Sequence, residues 1–253
     1  MEKIKAMIFA AGLGTRLRPL TDTRPKALVT VGGKTLLEIQ LMKLSALNVG
    51  EIIVNVHHFS QQIKDYIASY PIKDVPIRIS DESSELLDTG GGLKYAFDGH
   101  DDVPVLVHNV DILSNADLGT FISRATSCDA ALLVSKRPTS RYILFDKSMK
   151  MVGWTNINTG EIRSPYPNLD VADCMCLAFS GIHVVAPTVF TLMEGWPKKF
   201  SIMDFYIQNC DKLHIKGVTQ TGLRLLDIGK LDALQHAEDF LLSLEQQDGR
   251  EYD

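Results

Sequence analysis

Short strand-like runs alternate with amphipathic helix-like stretches along the first half of the chain. The strand-like runs are rich in apolar residues and cover residues 5–10, 51–56, 75–79 and 103–107. Between them, apolar residues recur at three- and four-residue spacing over 35–47 and 60–69, which is typical of amphipathic helices. This alternation predicts right-handed βαβ units and a mainly parallel sheet. Ligands of such sheets bind at the carboxyl ends of the strands.

The second half of the chain is less regular. Strand-like runs are found at 130–135, 142–145 and 177–185, and a Gly-, Pro- and Asn-rich stretch at 153–168 predicts a loop or hairpin, with a lid as one interpretation. A helix-like pattern covers 230–244, and polar residues follow it. We expect one α/β domain over residues 1–245 and a frayed polar tail over 246–253.

The composition is that of a soluble globular protein. Of the 253 residues, 45% are apolar, which is enough for a buried core and excludes disorder, collagen and a small disulfide-stapled scaffold. Apolar runs fall short of the ~18–20 residues that cross a bilayer, and the N-terminus lacks a signal-peptide pattern. The four cysteines lack Cys-x-x-Cys or zinc-like spacing and are expected to be thiols. We therefore expect a cytoplasmic protein that does not bind membranes.

Positive charge is concentrated near the N-terminus of an otherwise acidic chain. The net charge is −5, which argues against nucleic-acid binding because phosphate neutralisation needs clustered Lys and Arg. Residues 1–60, however, hold eight Lys or Arg and four acids. This local excess suggests a small anionic ligand.

A glycine-rich turn directly follows the first predicted strand. It spans residues 10–20, and a second basic stretch follows at 24–28. Two glycines let a backbone approach a ligand closely and direct N–H groups toward a phosphate. The dinucleotide fingerprint does not fit, since Leu17 stands where a third Gly is needed, and a P-loop is absent. The turn is therefore either a phosphate site or a plain strand-to-helix connection.

The order of residues in this turn resembles the signature of the sugar-phosphate nucleotidylyltransferases. The matching motifs are Ala-Gly-x-Gly-Thr-Arg-Leu-x-Pro-Leu-Thr at 11–21 and Arg-Pro-Lys-Ala-Leu-Val at 24–29. The resemblance implies a Rossmann-like mixed, mainly parallel sheet flanked by helices. It also implies that the loop wraps the nucleotide, that an Arg grips the triphosphate, and that a Lys stabilises the reacting phosphate. By position, Arg16 and Lys26 are the catalytic residues, and the nucleotide-binding residues of the loop are Ala10, Ala11, Gly12, Gly14, Thr15 and Arg16. Ala27 replaces the usual Pro.

A second glycine-rich segment opens a helix-like stretch at residues 88–93. On spacing alone, a helix entry with Asp88 as cap is as good an interpretation as a ligand site. The family has a Thr-Gly-Gly or Thr-Ala-Gly element here, which implies that Thr89 and Gly90 bind the nucleotide and Gly91 binds the sugar. The Leu-Asp-Thr-Gly-Gly-Gly form is closest to the N-acetylmuramate-1-phosphate uridylyltransferase branch.

Two acids match the metal ligands of the family. Asp111 follows the fourth predicted strand, at the edge of the sheet where Mg²⁺ ligands are expected. Asp227 matches a second family Asp, although Leu225 and Lys230 replace its usual Trp and Thr neighbours. The resemblance therefore implies a Mg²⁺ site made by both acids, and Val110 replaces a family Gly beside it.

The remaining binding residues follow from the same resemblance. Asn109 is assigned to the nucleotide, while Asn158, Glu161 and Gly181 are assigned to the sugar. The implied reaction is attack by a sugar 1-phosphate on the α-phosphorus of a nucleoside triphosphate, with release of pyrophosphate. We favour UTP and an N-acetylmuramate 1-phosphate-like sugar, and we expect a monomer or homodimer. The alternatives are a mannose-1-phosphate guanylyltransferase, a phosphocholine cytidylyltransferase and a catalytically inactive nucleotide-binding regulatory module.

Overall fold

A mixed β-sheet with helices on its flanks forms the framework of the protein. The structure is a computed structural model, which describes residues 3–70, 75–97 and 102–248. Its strands are β1 (Lys5–Phe9), β2 (Thr30–Val31), β3 (Lys34–Thr35), β4 (Ile52–Val56), β5 (Ile77–Asp81), β6 (Val105–Asn109), β7 (Ile112–Ser114), β8 (Ala130–Ser135), β9 (Arg141–Phe145), β10 (Met151–Asn156), β11 (Glu161–Arg163), β12 (Met175–Val185), β13 (Ile215–Thr219) and β14 (Leu225–Asp227). Its helices are α1 (Leu36–Ser45), α2 (Ser60–Ser69), α3 (Asp88–Phe97), α4 (Leu118–Arg124), α5 (Pro187–Met193), α6 (Ile202–Asn209), α7 (Leu231–Gln235) and α8 (Ala237–Asp248).

The main sheet joins a parallel half to an antiparallel half. Strands β5, β4, β1 and β6 lie side by side and run parallel. β12 is antiparallel to β6, and from β12 the sheet continues through β9, β10 and β11. β8 pairs with β12 along the edge opposite to β6, and β13 pairs with β8. The predicted Rossmann-like α/β fold, with a mixed, mainly parallel sheet flanked by helices, is confirmed.

The helices of the first half begin close to where the apolar pattern places them. α1 begins after Thr35, whose side chain accepts a hydrogen bond from the backbone N–H of Glu38. The Gly-, Pro- and Asn-rich stretch at 153–168 covers most of the hairpin of β10 and β11, and a hairpin is one of its two predicted forms.

The C-terminal helix is longer than the apolar pattern indicates. α8 continues to Asp248, so the predicted frayed tail is helical over 246–248. Glu and Gln are good helix formers, and they extend the helix without apolar residues to mark it. Residues 249–253 of that tail lie outside the described residues. The division into one domain and a tail remains a prediction.

Alternate residues of the central strands enter two hydrophobic layers, one on each face of the sheet. Ala6 and Ile8 of β1 belong to the layer that includes α1. Met7 belongs to the opposite layer, together with Leu93 of α3 and Phe205 of α6. Both layers are nearly free of solvent, so the strands form a rigid base for the loops at their ends.

The strand order brings several loops to one edge of the sheet. Phe9 and Asn109 are register partners at the carboxyl ends of the parallel strands β1 and β6, so the segments that follow them are neighbours. A small antiparallel sheet of β14 and β7 places Asp227 opposite Ile112 at the same edge.

Within the described ranges, no helix is long and apolar enough to cross a membrane.

Candidate active site

The glycine-rich turn after β1 is held by a buried polar pair. The backbone N–H groups of Ala10 and Ala11 both donate to Asn55 Oδ1, at 2.7 and 3.3 Å. Asn55 Nδ2 in turn donates to Glu82 Oε1 at 2.8 Å. Because these two loop N–H groups are already bonded within the protein, any nucleotide contact at Ala10 and Ala11 uses other atoms.

The two glycines of this turn differ in how much space surrounds them. Gly14 has a φ of +63°, and a Cβ there would lie 2.9 Å from Thr21 Cγ2. Thr21 also donates to the Gly14 carbonyl at 2.8 Å, so the local backbone requires this glycine. Gly12 is exposed, and a Cβ on it would meet nothing within 4 Å. No contact within the described residues therefore requires Gly12.

Two charged residues predicted from separate motifs form an ion pair at the edge of the sheet. Lys26 lies in a short 3₁₀ turn, Lys26–Leu28, and its Nζ contacts Asp111 Oδ2. Both side chains are largely buried, with 11% and 17% of their surface exposed. The predicted catalytic Lys and the predicted metal ligand are thus in direct contact.

The second predicted metal ligand joins this pair. Asp227 pairs with Ile112 in the small sheet, and the N–H of Ile228 donates to the carbonyl oxygen of Asp111 at 2.8 Å. Arg16 also lies close to Asp227, and both side chains lie beside Gly229. A Cβ on Gly229 would lie 2.8 Å from Asp227 Oδ1 and 2.9 Å from an Arg16 guanidinium nitrogen. The structure therefore brings together four side chains from three distant parts of the sequence.

Burial and four charged residues shift the pKa of Asp227. Although much of this residue is exposed, protein atoms enclose its carboxyl group and raise its pKa, and the negative charge of Asp111 raises it further. The charges of Lys26, Arg16 and Arg137 act in the opposite direction and lower it. We call these five residues the charged cluster.

Arg137 is the member of the charged cluster that the sequence analysis missed. It follows β8 by two residues, and one guanidinium nitrogen donates to the Phe179 carbonyl at 2.9 Å. The signal that singled out Asp111, a charged residue just after a strand-like run, is also present at Arg137. That signal alone does not place Arg137 at the site, because the orientation of β8 cannot be derived from the sequence.

The second glycine-rich segment packs against the residues that precede α6. A Cβ on Gly90 would clash with the Phe200 ring, and one on Gly91 would clash with the Lys198 carbonyl oxygen. The N–H groups of Gly90 and Gly91 both donate to the Phe200 carbonyl, at 2.9 and 3.1 Å. Thr89 Oγ1 accepts a hydrogen bond from Ile202 at 3.0 Å. These contacts account for the glycines structurally, and the predicted ligand roles of Thr89, Gly90 and Gly91 must use other atoms.

Asp88 is the first residue of α3, and its side chain bonds to the neighbouring residue instead of to the second or third N–H group that a helix cap would satisfy. Its Oδ1 accepts a hydrogen bond from the N–H of Thr89 at 2.6 Å, and its φ is +63°. This segment therefore forms the start of α3, which contacts within the protein hold in place.

Two predicted binding residues lie next to each other beside the charged cluster. Gly181 has a φ of +77°, and a Cβ there would lie 2.8 Å from Asn109 Nδ2. It stands at a register irregularity of β12, between Phe179 and His183. Only a glycine leaves the Asn109 amide in place, so this position shapes the end of β6.

The other two predicted sugar-binding residues lie on the hairpin of β10 and β11. Asn158 and Glu161 are exposed, and neither forms a hydrogen bond with the charged cluster in the part of the chain that the structure describes. The first half of β12, which pairs with β9, extends past the carboxyl end of β6. The sheet of β9, β10 and β11 therefore lies on the same side as Asp111, and a sugar role for the hairpin stays a prediction.

The donor set of the charged cluster suits a divalent cation. Asp111 and Asp227 supply carboxylate oxygens, which Mg²⁺ prefers in proteins. Among the described residues, no group of three or more His, Cys, Asp or Glu side chains is arranged to hold a metal. A cation at these two acids would thus complete its coordination with ligand oxygens or water, as Mg²⁺ does at phosphate-transfer sites.

Comparisons with known proteins identify the family of the chain. Residues 5–142 match the model of the family described as "Nucleotidyl transferase". The chain is 39% identical to N-acetylmuramate alpha-1-phosphate uridylyltransferase of Neisseria meningitidis, over 93% of this chain and 97% of that protein. It is 42% identical to a mannose-1-phosphate guanyltransferase of Neurospora crassa over 43% of this chain and 30% of that protein.

A solved structure shows the same fold. UDP-glucose pyrophosphorylase from Acinetobacter baumanii superposes with a TM-score of 0.73 at 20% identity, covering 98% of this chain and 99% of that chain. The resemblance to sugar-phosphate nucleotidylyltransferases, and the prediction of a nucleotidyltransferase enzyme, are confirmed. The chain belongs to the nucleotidyl transferase family.

Proposed function

We propose that this protein joins a nucleoside triphosphate, UTP by preference, to an N-acetylmuramate 1-phosphate-like sugar, with release of pyrophosphate. The observation that carries the proposal is the meeting of Lys26 and Arg16 with Asp111 and Asp227 at the carboxyl edge of the sheet. The choice of base and sugar is supported by the name and the near-complete coverage of the Neisseria meningitidis relative.

In this reaction an oxygen of the sugar 1-phosphate forms a bond to the α-phosphorus, while the bond from the α-phosphorus to the β-phosphate oxygen breaks. Both reactants are anions, so repulsion and misalignment make up most of the barrier. Arg16 holds the β- and γ-phosphates, and Lys26 stabilises the charge that grows on the α-phosphate. Both roles are electrostatic and are strengthened by the partial burial of Lys26.

Asp111 and Asp227 are the residues that would hold a divalent cation, for which we propose Mg²⁺. When bound, the cation supplies positive charge that offsets the repulsion between the two phosphate substrates. Without it, two carboxylates would face the same anions. The pKa of Asp227 is raised first by the burial of its carboxyl group and then by the negative charge of Asp111.

The loop after β1 is proposed to enclose the nucleotide. Gly12 and Gly14 allow close approach of its backbone, and Thr15 begins the 3₁₀ turn that carries Arg16. Ala10 and Ala11 line the same loop. The other proposed nucleotide contacts are Thr89, Gly90 and Asn109, and the proposed sugar contacts are Gly91, Asn158, Glu161 and Gly181.

A mannose-1-phosphate guanylyltransferase is the second candidate. It is favoured by the 42% identity to the Neurospora crassa enzyme, but that match covers less than half of this chain. A reaction with GTP and mannose 1-phosphate would use the same charged cluster.

A substrate panel tests the proposal. The protein is incubated with Mg²⁺, each of the four nucleoside triphosphates, and N-acetylmuramate 1-phosphate, mannose 1-phosphate, other sugar 1-phosphates or phosphocholine, and pyrophosphate release is followed. We expect the fastest release with UTP and N-acetylmuramate 1-phosphate. Fastest release with GTP and mannose 1-phosphate, or with CTP and phosphocholine, would replace that substrate pair. Binding of a triphosphate without release under any pairing would indicate the inactive regulatory module.

A further inference from the structure

Arg137 reaches the charged cluster from the side opposite to the glycine-rich turn. β12 pairs with β6 along one edge and with β8 along the other, so the strand order across this part of the sheet is β1, β6, β12, β8. β6 and β8 are both antiparallel to β12, so their carboxyl ends point to the same edge. The glycine-rich turn follows β1, Asp111 follows β6, and Arg137 follows β8. Neighbouring strands are about 4.8 Å apart, so Arg137 starts roughly three strand spacings away from the turn.

The guanidinium group of Arg137 is fixed in place over β12. One of its terminal nitrogens donates to the Phe179 carbonyl, two residues before Gly181. Its Nε is buried and has no hydrogen-bond partner among the described residues. A buried donor without a partner is unfavourable. A partly buried Arg that is held in this way, with no carboxylate of the described residues bonded to it, is suited to bind an anion through its terminal nitrogens.

The charge balance of the cluster leaves Arg137 as the surplus cation. Lys26 is paired with Asp111, and the guanidinium of Arg16 lies beside Asp227. Arg137 forms no salt bridge within the ranges that the structure describes, and its positive charge lowers the pKa of the Asp227 carboxyl group. Three cations thus face two acids, with the extra charge on the β12 side.

We propose that Arg137 binds the phosphate of the sugar 1-phosphate, which makes it a substrate-binding residue that determines the affinity for the second substrate. This inference rests on the proposed function, in which the triphosphate occupies the side of β1 and Arg16. The incoming phosphate then lies between Asp111 and β12, within the region over which Arg137 is held. A guanidinium can bind two phosphate oxygens at once, a geometry that a lysine lacks.

Three variants separate this role from general charge and from packing. Arg137→Gln removes the charge but keeps an N–H that can donate to Phe179, Arg137→Lys keeps the charge, and Lys136→Gln removes an exposed neighbouring charge as the control. Steady-state KM values for UTP and N-acetylmuramate 1-phosphate, kcat and thermal unfolding are measured for each.

We expect Arg137→Gln to raise the KM for N-acetylmuramate 1-phosphate about tenfold or more, the usual scale for a charge-assisted hydrogen bond. The KM for UTP stays within about twofold, Arg137→Lys recovers part of the loss, and Lys136→Gln matches the wild type. If the Gln variant does not fold, the Lys variant carries the test with a smaller rise, about threefold, because it loses the second hydrogen bond.

A second sugar phosphate identifies the group that is bound. N-acetylglucosamine 1-phosphate has the same phosphate but lacks the lactyl carboxylate, and it is used as a substrate or as a competing inhibitor. The same loss for both sugar phosphates supports a phosphate contact. A loss for N-acetylmuramate 1-phosphate alone would overturn it in favour of the carboxylate.

An unchanged KM for both sugar phosphates, a rise confined to UTP, or an equal effect of Lys136→Gln would also overturn the inference. If the wild type turns over no substrate pair, the proposed function fails, and calorimetric binding of the two sugar phosphates decides the role of Arg137 alone. Weaker binding by Arg137→Gln than by the wild type would then support the inference, and equal or absent binding would overturn it.

Discussion

Two glycine-rich segments lie near the same edge of the sheet, yet their glycines serve different purposes. In the second segment, Gly90 and Gly91 are pressed against Phe200 and Lys198, so the protein itself requires them. In the first segment, a Cβ on Gly12 would meet nothing within 4 Å. Internal packing thus explains the glycines of the helix start, whereas the exposed glycine of the turn lacks such a reason and fits a ligand-binding role.

The difference extends to the charges beside each segment. The first segment carries Arg16 and leads to Lys26, which contacts Asp111 in a largely buried pair. Beside the second segment, Lys198 and Glu85 form an exposed pair at 2.6 Å. Exposed pairs contribute little to stability, and a buried charged group near a reaction centre contributes much more to a rate. We therefore expect the chemistry to depend on the charges beside the first segment, and the second segment to matter more for stability.

The largest effect is expected from the buried charges of the first segment. Lys26→Ala and Asp111→Ala should each lower turnover by about 100-fold or more, as removal of other charge-stabilising groups does. Circular dichroism should show that the fold is intact, because neither side chain belongs to the hydrophobic layers. Thermal unfolding should show a lower Tm, since each variant leaves one partner of a largely buried ion pair without its counter-charge.

The matched control removes the exposed pair of the second segment. Lys198→Ala and Glu85→Ala should leave turnover within about twofold of the wild type, since this pair is exposed and screened. Near-normal rates in both Lys26→Ala and Asp111→Ala would remove the assignment of chemistry to the first segment.

In the second segment the expected loss is one of stability. Gly91→Ala places a Cβ against the backbone carbonyl of Lys198, which cannot move aside as a flexible side chain would. We expect the free energy of unfolding in urea to fall by about 1–3 kcal/mol, the usual cost of overpacking. Gly195→Ala is the control, because a Cβ there meets nothing within 4 Å. Equal stability of the two variants would show that the packing of Gly91 is looser than its contacts indicate.

A smaller and opposite result is expected for the exposed glycine of the first segment. Gly12→Ala should keep or raise the free energy of unfolding, by up to about 1 kcal/mol, because it restricts the unfolded chain without a clash. At the same time the KM for the triphosphate should rise several-fold, since the new methyl group occupies the space proposed for the phosphates. An unchanged KM would place the triphosphate away from Gly12.

Much of this site follows from the sequence because its parts are local. A buried strand followed by Gly12 and Gly14, and another followed by Asp111, are patterns of adjacent residues, and parallel strands bring their carboxyl ends to one edge. The same rule applies to Arg137. It was missed because its position depends on β8 lying antiparallel to β12, and a short apolar run does not reveal its direction.

The function of each glycine could not be derived from the sequence either. What makes Gly90 and Gly91 necessary is Phe200 and Lys198, which lie far along the chain and reach them only through the packing of α3 on the segment before α6. Likewise, Asp227 meets Asp111 through the pairing of the three-residue strands β14 and β7, which are too short to leave a periodic signal.

The smallest expected effect concerns the pair that connects the two segments. Asn55 binds the first segment through Ala10 and Ala11, while Glu82 lies against Gly92 of the second, where a Cβ would be 2.6 Å from Glu82 Oε1. Burial raises the pKa of Glu82 above its usual value. The folded protein therefore holds this proton to a higher pH than the unfolded chain does, so the contribution of Glu82 to stability falls as the pH rises through its folded pKa.

Glu82→Gln has no such proton, which makes the difference between the two proteins pH-dependent. At low pH, where the wild-type carboxyl is protonated in both the folded and the unfolded state, the wild type should exceed the variant in Tm by its largest margin. As the pH rises through the raised pKa of folded Glu82, that margin should narrow, because the wild type then buries a carboxylate while the variant remains neutral. Calorimetric Tm values of both proteins across this range check the sign. A margin that widens with pH would mean that hydrogen bonds from Asn55 and Leu87 outweigh the burial of Glu82, and that the connection between the two segments is strongest when it is charged.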